Sequence, residues 1–349
     1  MGKEELNGRT AKTLLAGICA AGSVCMAAPD GETGSEKEWT GADMDRLKGI
    51  FPASIKTVAV LTPASIPQAP LIRKGIRMLE RAGLKVKVMP HTFDQAAKGQ
   101  KGLPAAVRLA DLNQAIRDPE VDMILPTRGG TGAQQLLKKM AWGTLKKRPG
   151  LILMGFSNIT CLTGAMAARG VGRPIQGPNL GRLVSVDQAS LEHLKAVLRG
   201  GSPAPVPVKA LRPAPGEVRG GVYAGHLALL CEVIRRGFTV DTAGKVLFIE
   251  CVRRPEKELR EHFDFLLKSG FFKAPAGVVF CHFTRNFPTE EAKMKFFREM
   301  TEKLPCPVYY GYPYGHENTM RALDFRSTAV IRDGVVSFEF PAAAGKAEK

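Results

Sequence analysis

The sequence is 349 residues long, which at roughly 100–200 residues per domain suggests two domains. Hydrophobic residues make up 44% and charged residues 24%, so a sizeable core is available and wholesale disorder, a collagen-like fibre and a multi-span membrane protein are excluded. The formal net charge of +17 favours an anionic partner: nucleic acid, acidic lipid, a wall polymer or a carboxylate-bearing substrate. Because aromatic residues are only 7% and are not interleaved with a basic stripe, we do not expect nucleic-acid binding.

Residues 1–27 have the pattern of a secretory signal peptide. A weakly basic start precedes the apolar, small-residue stretch 13–26, which is too short to span a bilayer comfortably. Cleavage after Ala27 places Ala27 and Cys25 at the two positions where signal cleavage needs small residues. We therefore predict export to the periplasm without a stable membrane anchor. The alternative is an apolar N-terminal helix of a cytoplasmic protein.

Five cysteines follow this segment, at positions 161, 231, 251, 281 and 306. Their number is odd and none forms a C-x-x-C pair, so the sequence predicts neither a disulfide framework nor a zinc motif, and we expect no metal or cofactor. Free thiols are unusual in an exported protein, and burial of the cysteines would reconcile the two expectations.

The remaining chain has a simple organisation. Residues 28–50 are polar and glycine-rich and predict a mobile leader, and 341–349 predict a disordered tail. In chain order, the predicted strands are 57–61, 86–89, 123–126, 151–155, 245–249, 277–281 and 308–310, followed by two strands around the turn at 332–334. The predicted helices are 71–83, 105–117, 133–140, 159–169, 224–236, 255–269 and 289–300.

Alternating strands and helices predict an α/β fold with a parallel, doubly wound sheet, whose ligands bind beyond the carboxyl ends of the strands. We expect an N-terminal domain over 51–182 and a C-terminal domain over 219–340. The proline-rich segment between them, 183–218, predicts an extended connector.

A serine follows the predicted strand 151–155 in the sequence Gly155-Phe156-Ser157-Asn158. At a tight strand-to-helix turn, a serine hydroxyl is exposed above the sheet and the next backbone amide points at it, as in a nucleophile elbow. The usual second glycine is absent. The alternative interpretation is that Ser157 or Asn158 only caps the following helix.

The loop Arg128-Gly129-Gly130-Thr131-Gly132 also lies between a predicted strand and a predicted helix. Glycines let the backbone approach a ligand closely, and free amides there bind anions. The loop matches neither a P-loop nor a dinucleotide fingerprint. The alternative is a turn that satisfies the start of its own helix.

A serine nucleophile needs a base, and the base needs an orienting acceptor. Among the histidines, His316 lies in the loop GYPYGHEN after a strand, and His91 also follows a strand end, whereas His193, His226 and His262 fall on predicted helices. Glu250 ends the apolar strand VLFIE, where a carboxylate needs a partner. It could equally form a salt bridge with Arg253 or Arg254.

Together these segments resemble the LD-carboxypeptidase family of serine peptidases, which includes muramoyl-tetrapeptide carboxypeptidases and microcin-immunity hydrolases. The match lies in four segments, in order: ILPTRGGTGAQQLL, LMGFSNIT, VLFIEC and GYPYGHEN, within residues 55–340. The resemblance implies a flavodoxin-like N-terminal domain, a C-terminal domain with a small barrel-like sheet and flanking helices, and a homodimer.

The resemblance also implies roles for individual residues. Ser157 would be the nucleophile, His316 the general base and Glu250 the orienting carboxylate, with the amides of Gly130 and Asn158 as the oxyanion hole. Arg128, Gly129 and Arg285 are the candidate substrate-binding residues, with an arginine holding the substrate carboxylate.

Four positions depart from the family pattern. Asn158 stands where the family usually has Asp, Thr131 where it has Tyr, His226 where it has Asn, and Cys251 where Asp is common. These changes leave the implied triad intact and affect substrate identity.

We therefore expect a hydrolase that removes terminal D-alanine from L,D-linked murein tetrapeptides through an acyl-enzyme. The alternatives are hydrolysis of a peptidyl or acyl adenylate, and a murein-fragment binding protein with weakened catalysis.

Overall fold

The computed structural model describes residues 39–341. The predicted signal peptide and all but the first residue of the predicted tail lie outside this range. Over the described residues, no helix has the length and apolar character needed to cross a bilayer.

Strands and helices alternate along most of the chain. The strands are β1 Thr57–Leu61, β2 Lys85–Val88, β3 Met123–Pro126, β4 Ile152–Gly155, β5 Arg173–Gln176, β6 Val206–Pro207, β7 Lys209–Arg212, β8 Val218–His226, β9 Lys245–Val252, β10 Gly277–Thr284, β11 Val308–Tyr310, β12 Leu323–Asp324, β13 Thr328–Arg332 and β14 Val335–Glu339. The helices are α1 Gly41–Asp45, α2 Ala69–Arg81, α3 Ala105–Arg117, α4 Trp142–Lys146, α5 Thr160–Arg169, α6 Leu180–Leu183, α7 Gln188–Leu198, α8 Leu227–Arg235, α9 Glu256–Lys268 and α10 Glu290–Glu302.

The first sheet has the strand order β12-β5-β4-β3-β1-β2. All its neighbours are parallel except the edge pair β12 and β5. Val58 and Val60 of β1 pack into one core cluster, and Ala59 and Leu61 pack into another on the opposite face. An uninterrupted apolar strand is therefore buried on both faces, as in a doubly wound sheet. The predicted fold class is confirmed.

The second sheet has eight strands in the order β6-β14-β13-β8-β9-β10-β11-β7 and is barrel-like. Its central strands β8 to β11 are parallel, and antiparallel strands flank them on both sides. The site depends on the register of β8 and β9, in which His226 lies opposite Glu250.

The C-terminal part of the chain returns to the first sheet. Strand β12 pairs with β5, and the buried Arg173 Nε lies 2.7 Å from Oδ2 of the buried Asp324. From Gly41 onward the described chain therefore forms one compact unit built on two sheets. We refer to the residues around the first sheet as the first lobe and those around the second sheet as the second lobe.

Two segments differ from the sequence-based expectation. The predicted leader 28–50 is described only in its last part, which contains helix Gly41–Asp45. Leu47 and Ile50 are buried in the core, so the C-terminal end of the predicted leader belongs to the fold. The predicted extended connector 183–218 contains helix α7, whose amphipathic pattern buries several leucines. The prolines that indicate an extended segment begin only after this helix, so the predicted connector starts too early in the chain.

Two predicted helices also need correction. Residues 218–226, partly predicted as helix, form strand β8, because their backbone pairs with β13 on one side and with β9 on the other. Residues 133–140 form two short 3₁₀ turns, Ala133–Gln135 and Leu137–Lys139, rather than one helix. Side-chain acceptors already hold the amides of Gly132 and Ala133 at the start of this segment.

Candidate active site

Ser157 lies immediately beyond the carboxyl end of β4, in a strained turn. Its φ angle is +58°, in the left-handed region that non-glycine residues rarely adopt. Gly155 permits this turn, because a Cβ atom at that position would lie 2.7 Å from the Ile159 side chain. The chain then makes a 3₁₀ turn over Ser157–Ile159 and enters α5. This strand, turn and helix form the predicted elbow, and backbone strain of this kind concentrates at functional sites.

The glycine loop after β3 passes directly over the serine. A Cβ atom on Gly129 would lie 2.7 Å from Ser157 Cβ and 2.8 Å from Ser157 Oγ, so only glycine fits there. Gly130 has φ +108° and packs against Ser65, whose Oγ accepts from the amide of Thr131 at 3.0 Å. The loop is thus held in place by Ser65, through hydrogen bonds to the backbone of the loop.

The amides of this loop are not all used by the protein. Those of Thr131, Gly132 and Ala133 donate to the side chains of Ser65, Gln134 and Asn158, respectively. Within residues 39–341, the amide of Gly130 donates no hydrogen bond. The amides of Arg128 and Gly129 donate none in this range either, so Gly130 is one of three adjacent amides that remain for a ligand oxygen.

Asn158 has a structural role for its side chain. Its Oδ1 accepts from the Ala133 amide at 2.8 Å, its Nδ2 lies 3.4 Å from Gln134 Oε1, and the side chain is buried. The elbow is in this way tied to the glycine loop. A neutral amide suits this place, because it both accepts and donates.

Glu250 and His316 form a hydrogen-bonded pair in the second lobe. Glu250 is completely buried near the end of β9, and its Oε2 lies 2.9 Å from His316 Nδ1. Burial opposes ionisation of Glu250, yet His316 lowers the pKa of this carboxyl below its ordinary value through its charge and hydrogen bond. The alternative, a salt bridge of Glu250 with Arg253 or Arg254, is wrong for the described residues: the carboxylate pairs with His316 and its Oε1 has no hydrogen-bond partner, while Arg254 lies 2.8 Å from Glu258.

The loop that carries His316 depends on a glycine. Gly315 has φ +137°, and a Cβ atom there would lie 3.0 Å from His282 Cβ and 3.2 Å from Glu250 Cβ. The absence of a side chain lets the loop lie directly on the carboxylate. The imidazole of His316 keeps 17% of its side-chain surface exposed, so it borders solvent on one side.

Contacts between the two lobes bring these groups together. Tyr314 donates its hydroxyl proton to Gln176 Oε1 at 2.8 Å, and Gln176 Nε2 donates to the carbonyl of Ala224 at 3.1 Å. The ring of Phe156, which precedes the serine, lies 4.8 Å from the ring of His316. The base is therefore adjacent to the elbow.

One contact of the implied triad is not formed. Within the described chain the Ser157 hydroxyl makes no hydrogen bond, to His316 or to any other group. Hydrogen bonds between a nucleophile and its base are often long in ligand-free enzymes and shorten when substrate binds. The arrangement can activate the Ser157 hydroxyl once this oxygen and the His316 imidazole come within hydrogen-bonding distance.

The two candidate arginines are exposed. Arg128 donates to the carbonyl of Ile66 at 3.3 Å, beside the glycine loop. Arg285 follows β10 with φ +55°. The preceding Thr284 donates to Glu317, the neighbour of His316, at 2.7 Å. Each arginine thus lies in a segment that carries part of the site.

The remaining predicted features are placed as follows. His91 forms an ion pair with Asp111, with Nδ1 and Oδ1 2.8 Å apart, and His193 hydrogen bonds to the carbonyl of Ala322. The five cysteines are free and buried, as expected. His226 is buried near the Glu250–His316 pair, at a ring-centroid distance of 6.0 Å from His316.

Sequence reasoning missed Ser65, Gln176 and Tyr314. Ser65 follows β1 at the same sheet edge as the elbow, and its position after an apolar strand was an available signal. Gln176 and Tyr314 act through contacts between distant segments, 138 residues apart, and no local pattern marks such a pair.

Two family models match this chain, one in each lobe. The model of the LD-carboxypeptidase N-terminal domain matches residues 58–176, and that of the LD-carboxypeptidase C-terminal domain matches residues 219–331. A probable murein peptide carboxypeptidase of Bacillus subtilis is 28% identical over 83% of this chain and 98% of its own length. The murein tetrapeptide carboxypeptidase of Pseudomonas aeruginosa is 29% identical over 78% of this chain and 92% of its own.

Solved structures share the fold. The muramoyltetrapeptide carboxypeptidase of Oxalobacter formigenes superposes with a TM-score of 0.71 at 20% identity, over 82% of this chain and all of its own. The microcin C7 self-immunity protein superposes with a TM-score of 0.72 at 18% identity, over 84% of this chain and 98% of its own. Two family models that match both lobes, together with relatives matched over nearly their full length, show that the chain belongs to the LD-carboxypeptidase family and is an enzyme of the carboxypeptidase class.

Proposed function

We propose that the protein is a serine hydrolase that removes the terminal D-alanine from L,D-linked murein tetrapeptides through an acyl-enzyme. The observation that carries this proposal is the buried Glu250–His316 pair next to the strained elbow of Ser157. Two relatives are named as a probable murein peptide carboxypeptidase and a murein tetrapeptide carboxypeptidase, and these names support the substrate class.

In the proposed reaction, His316 Nε2 accepts the proton of Ser157 Oγ as this oxygen attacks the carbonyl carbon of the L-centre. Glu250 accepts from His316 Nδ1–H, which fixes the tautomer and stabilises the imidazolium that forms. General-base assistance of this kind contributes about 10²–10⁴-fold in rate.

The amides of Gly130 and Asn158 are the proposed donors to the oxyanion of the tetrahedral intermediate. One such donor is worth about 2.7–4 kcal/mol. Collapse of the intermediate breaks the peptide bond, and His316 returns its proton to the departing amine of D-alanine. Water, activated by the same imidazole, then hydrolyses the ester and regenerates Ser157.

The substrate ends in a carboxylate, and a basic group near the site would distinguish it from an internal peptide bond. We propose Arg128 or Arg285 for this role, because both guanidinium groups are exposed and lie in segments that form the site. A bidentate arginine–carboxylate contact suits this recognition. Export and homodimer formation stay predictions from the sequence.

The direct test is D-alanine release from a purified muramyl tetrapeptide, with the Ser157→Ala variant as the matched control. We expect release by the wild-type protein and none above background by the variant. A muramyl pentapeptide, which ends in a D,D-bond, should not be cleaved. Equal release by wild type and Ser157→Ala would overturn the proposal.

The second candidate is hydrolysis of a peptidyl adenylate. It is favoured by the full-length structural match to the microcin C7 self-immunity protein. The same three residues would serve, and only the pocket would differ. Competition between an aminoacyl sulfamoyl adenosine and the muramyl tetrapeptide decides between the two: strong inhibition by the nucleoside at concentrations below the tetrapeptide KM would favour the adenylate.

A further inference from the structure

Several buried polar atoms at the Glu250–His316 pair have no hydrogen-bond partner within the described residues. Two of them are Nδ1 of His226 and Oε1 of Glu250, the carboxylate oxygen that does not face His316. A buried polar group without a partner is costly, and each such group in a native structure needs an explanation. One of these atoms can donate and the other can only accept while Glu250 is ionised.

The fold places the two residues side by side. His226 ends β8 and lies opposite Glu250 in the parallel register with β9. Its backbone amide donates to Thr160 Oγ1 at 3.3 Å, which ties it to the helix that follows Ser157. Its ring meets that of His316 edge-on at 6.0 Å, and only 4% of the residue is exposed.

The neighbouring Cys251 is the partner of the other ring nitrogen of His226. His226 Nε2 lies 3.6 Å from Cys251 Sγ, and burial raises the pKa of the Cys251 thiol well above its usual value, so the thiol stays protonated and can donate to Nε2. Burial also lowers the pKa of His226 to about 4, so the ring is neutral near pH 7. A neutral imidazole that accepts at Nε2 carries its proton on Nδ1.

We propose that His226 is a positioning residue that donates its Nδ1 proton to Glu250 Oε1, directly after a small side-chain rotation or through one buried water. The carboxylate would then be held from both sides, by His316 at Oε2 and by His226 at Oε1. This inference rests on the proposed function, because it assigns His226 a role in orienting the base of that reaction.

A competing donor lies on the opposite side of Glu250. His282 belongs to β10, the other neighbour of β9, and its Nδ1 also lacks a partner within residues 39–341. We favour His226 as the donor for two reasons. It pairs with Glu250 in register, and its other ring nitrogen, Nε2, already contacts Cys251. If His226 is the donor, removing its side chain should change the pH dependence of the reaction. If His282 is the donor, a change at His282 should do so instead.

The test compares three variants: His226→Phe, which removes the donor, His226→Asn, which keeps one, and His282→Asn. The N–H dipole of a donor offsets part of the carboxylate charge, so its loss makes the surroundings of the Glu250–His316 pair more negative, and the pair takes up its proton at higher pH. We expect the acid limb of kcat/KM to move up by about one pH unit in His226→Phe. It should stay near the wild-type position in the other two variants.

Other charges around His226 do not account for such a shift. The groups that face it are Glu250, Cys251, His316, Arg254 and His262. The variants leave all of them in place, and His226 itself is neutral over the pH range of the measurement. A shift confined to the variant without a donor therefore reports the hydrogen bond.

The rate at which a fluorophosphonate labels Ser157, followed against pH, gives the same readout without any assumption about the substrate. No labelling of the wild-type protein would count against the proposed function. Labelling of wild type and His226→Phe with the same pH dependence, or a shift only in His282→Asn, would overturn this inference and leave the function standing. If His226→Phe does not fold, ¹⁵N NMR of the wild-type imidazoles decides: Nδ1–H on His226 supports the inference and Nε2–H contradicts it.

Discussion

The hydroxyl of Tyr314 donates to Oε1 of Gln176 across the boundary between the two lobes, at 2.8 Å. Both side chains are fully buried, Gln176 at the end of β5 and Tyr314 two residues before His316. Gln176 is the neighbour in register of Gly155, which begins the serine elbow. This single hydrogen bond therefore connects the segment that carries the nucleophile to the loop that carries the base.

Removing that hydroxyl should weaken both stability and activity. Tyr314→Phe leaves the buried Gln176 Oε1 without its donor, which costs about 1–3 kcal/mol. We expect a lower free energy of unfolding in denaturant and slower D-alanine release. Tyr310→Phe is the matched control, because the Tyr310 hydroxyl makes no hydrogen bond in the described chain. Equal unfolding free energies for the two variants would contradict this account.

The close approach of the glycine loop to the serine gives a second prediction. In Gly129→Ala, the new methyl group would meet Ser157 Cβ and Oγ at 2.7 and 2.8 Å, distances that real Cβ contacts essentially never show. Either the loop or the elbow must move, so we expect kcat/KM to fall by at least about 10²-fold, as for the loss of one oxyanion donor.

Gly143→Ala provides the control, since a Cβ atom there would meet nothing within 4 Å. Gly143 lies in helix α4, where alanine is favoured over glycine. We expect unchanged kinetics and an equal or higher unfolding temperature. Wild-type kinetics for Gly129→Ala would show that the loop does not contribute to the site.

The ionised state of Glu250 gives a third prediction. Glu250→Gln keeps the size of the side chain but loses the charge that stabilises a protonated His316. We expect kcat to fall by about 10²–10⁴-fold, the range of general-base assistance, with little change in KM. Glu258→Gln, which alters only the surface pair with Arg254, should keep wild-type kinetics. A loss in Glu250→Gln that is confined to KM would argue for a binding role instead.

The ion pair of His91 with Asp111 makes stability depend on pH. The hydrogen bond to Asp111 raises the pKa of His91 above its ordinary value of 6.5. A raised pKa contributes stability that is fully present below the ordinary value and is lost as pH rises through the folded-state value. The difference in unfolding temperature between wild type and His91→Gln should be largest near about pH 5.5 and shrink by about pH 8.5. A difference that grows with pH would contradict the assignment.

Much of the fold could be predicted from the sequence because apolar runs and helical spacing are local signals. Strand β1, helix α3 and strand β3 lie within the predicted bounds. Strand β5 was missed, since its four residues begin with Arg173 and Pro174, which resemble a loop until Asp324 pairs with the arginine. Strand β8 was missed because three glycines interrupt its pattern, and pairing on both sides stabilises it.

The same distinction between local sequence signals and contacts formed only in the folded chain applies to the candidate site. Ser157, Glu250 and His316 stand at strand ends or in a glycine-rich loop, where local sequence indicates a functional residue. The partners that position them could not be predicted, because they depend on contacts between distant segments. Gln176 meets Tyr314, and His226 lies beside Glu250 only after β8 and β9 have paired.

The central claim is that Ser157 is a nucleophile activated by the Glu250–His316 pair. Its most direct test is labelling by a fluorophosphonate, with the adduct located by mass spectrometry of the digested protein. We predict one adduct, on Ser157, that is absent in Ser157→Ala and forms far more slowly in His316→Ala. An adduct on another residue, or labelling of Ser157 that is indifferent to the loss of His316, would contradict the account.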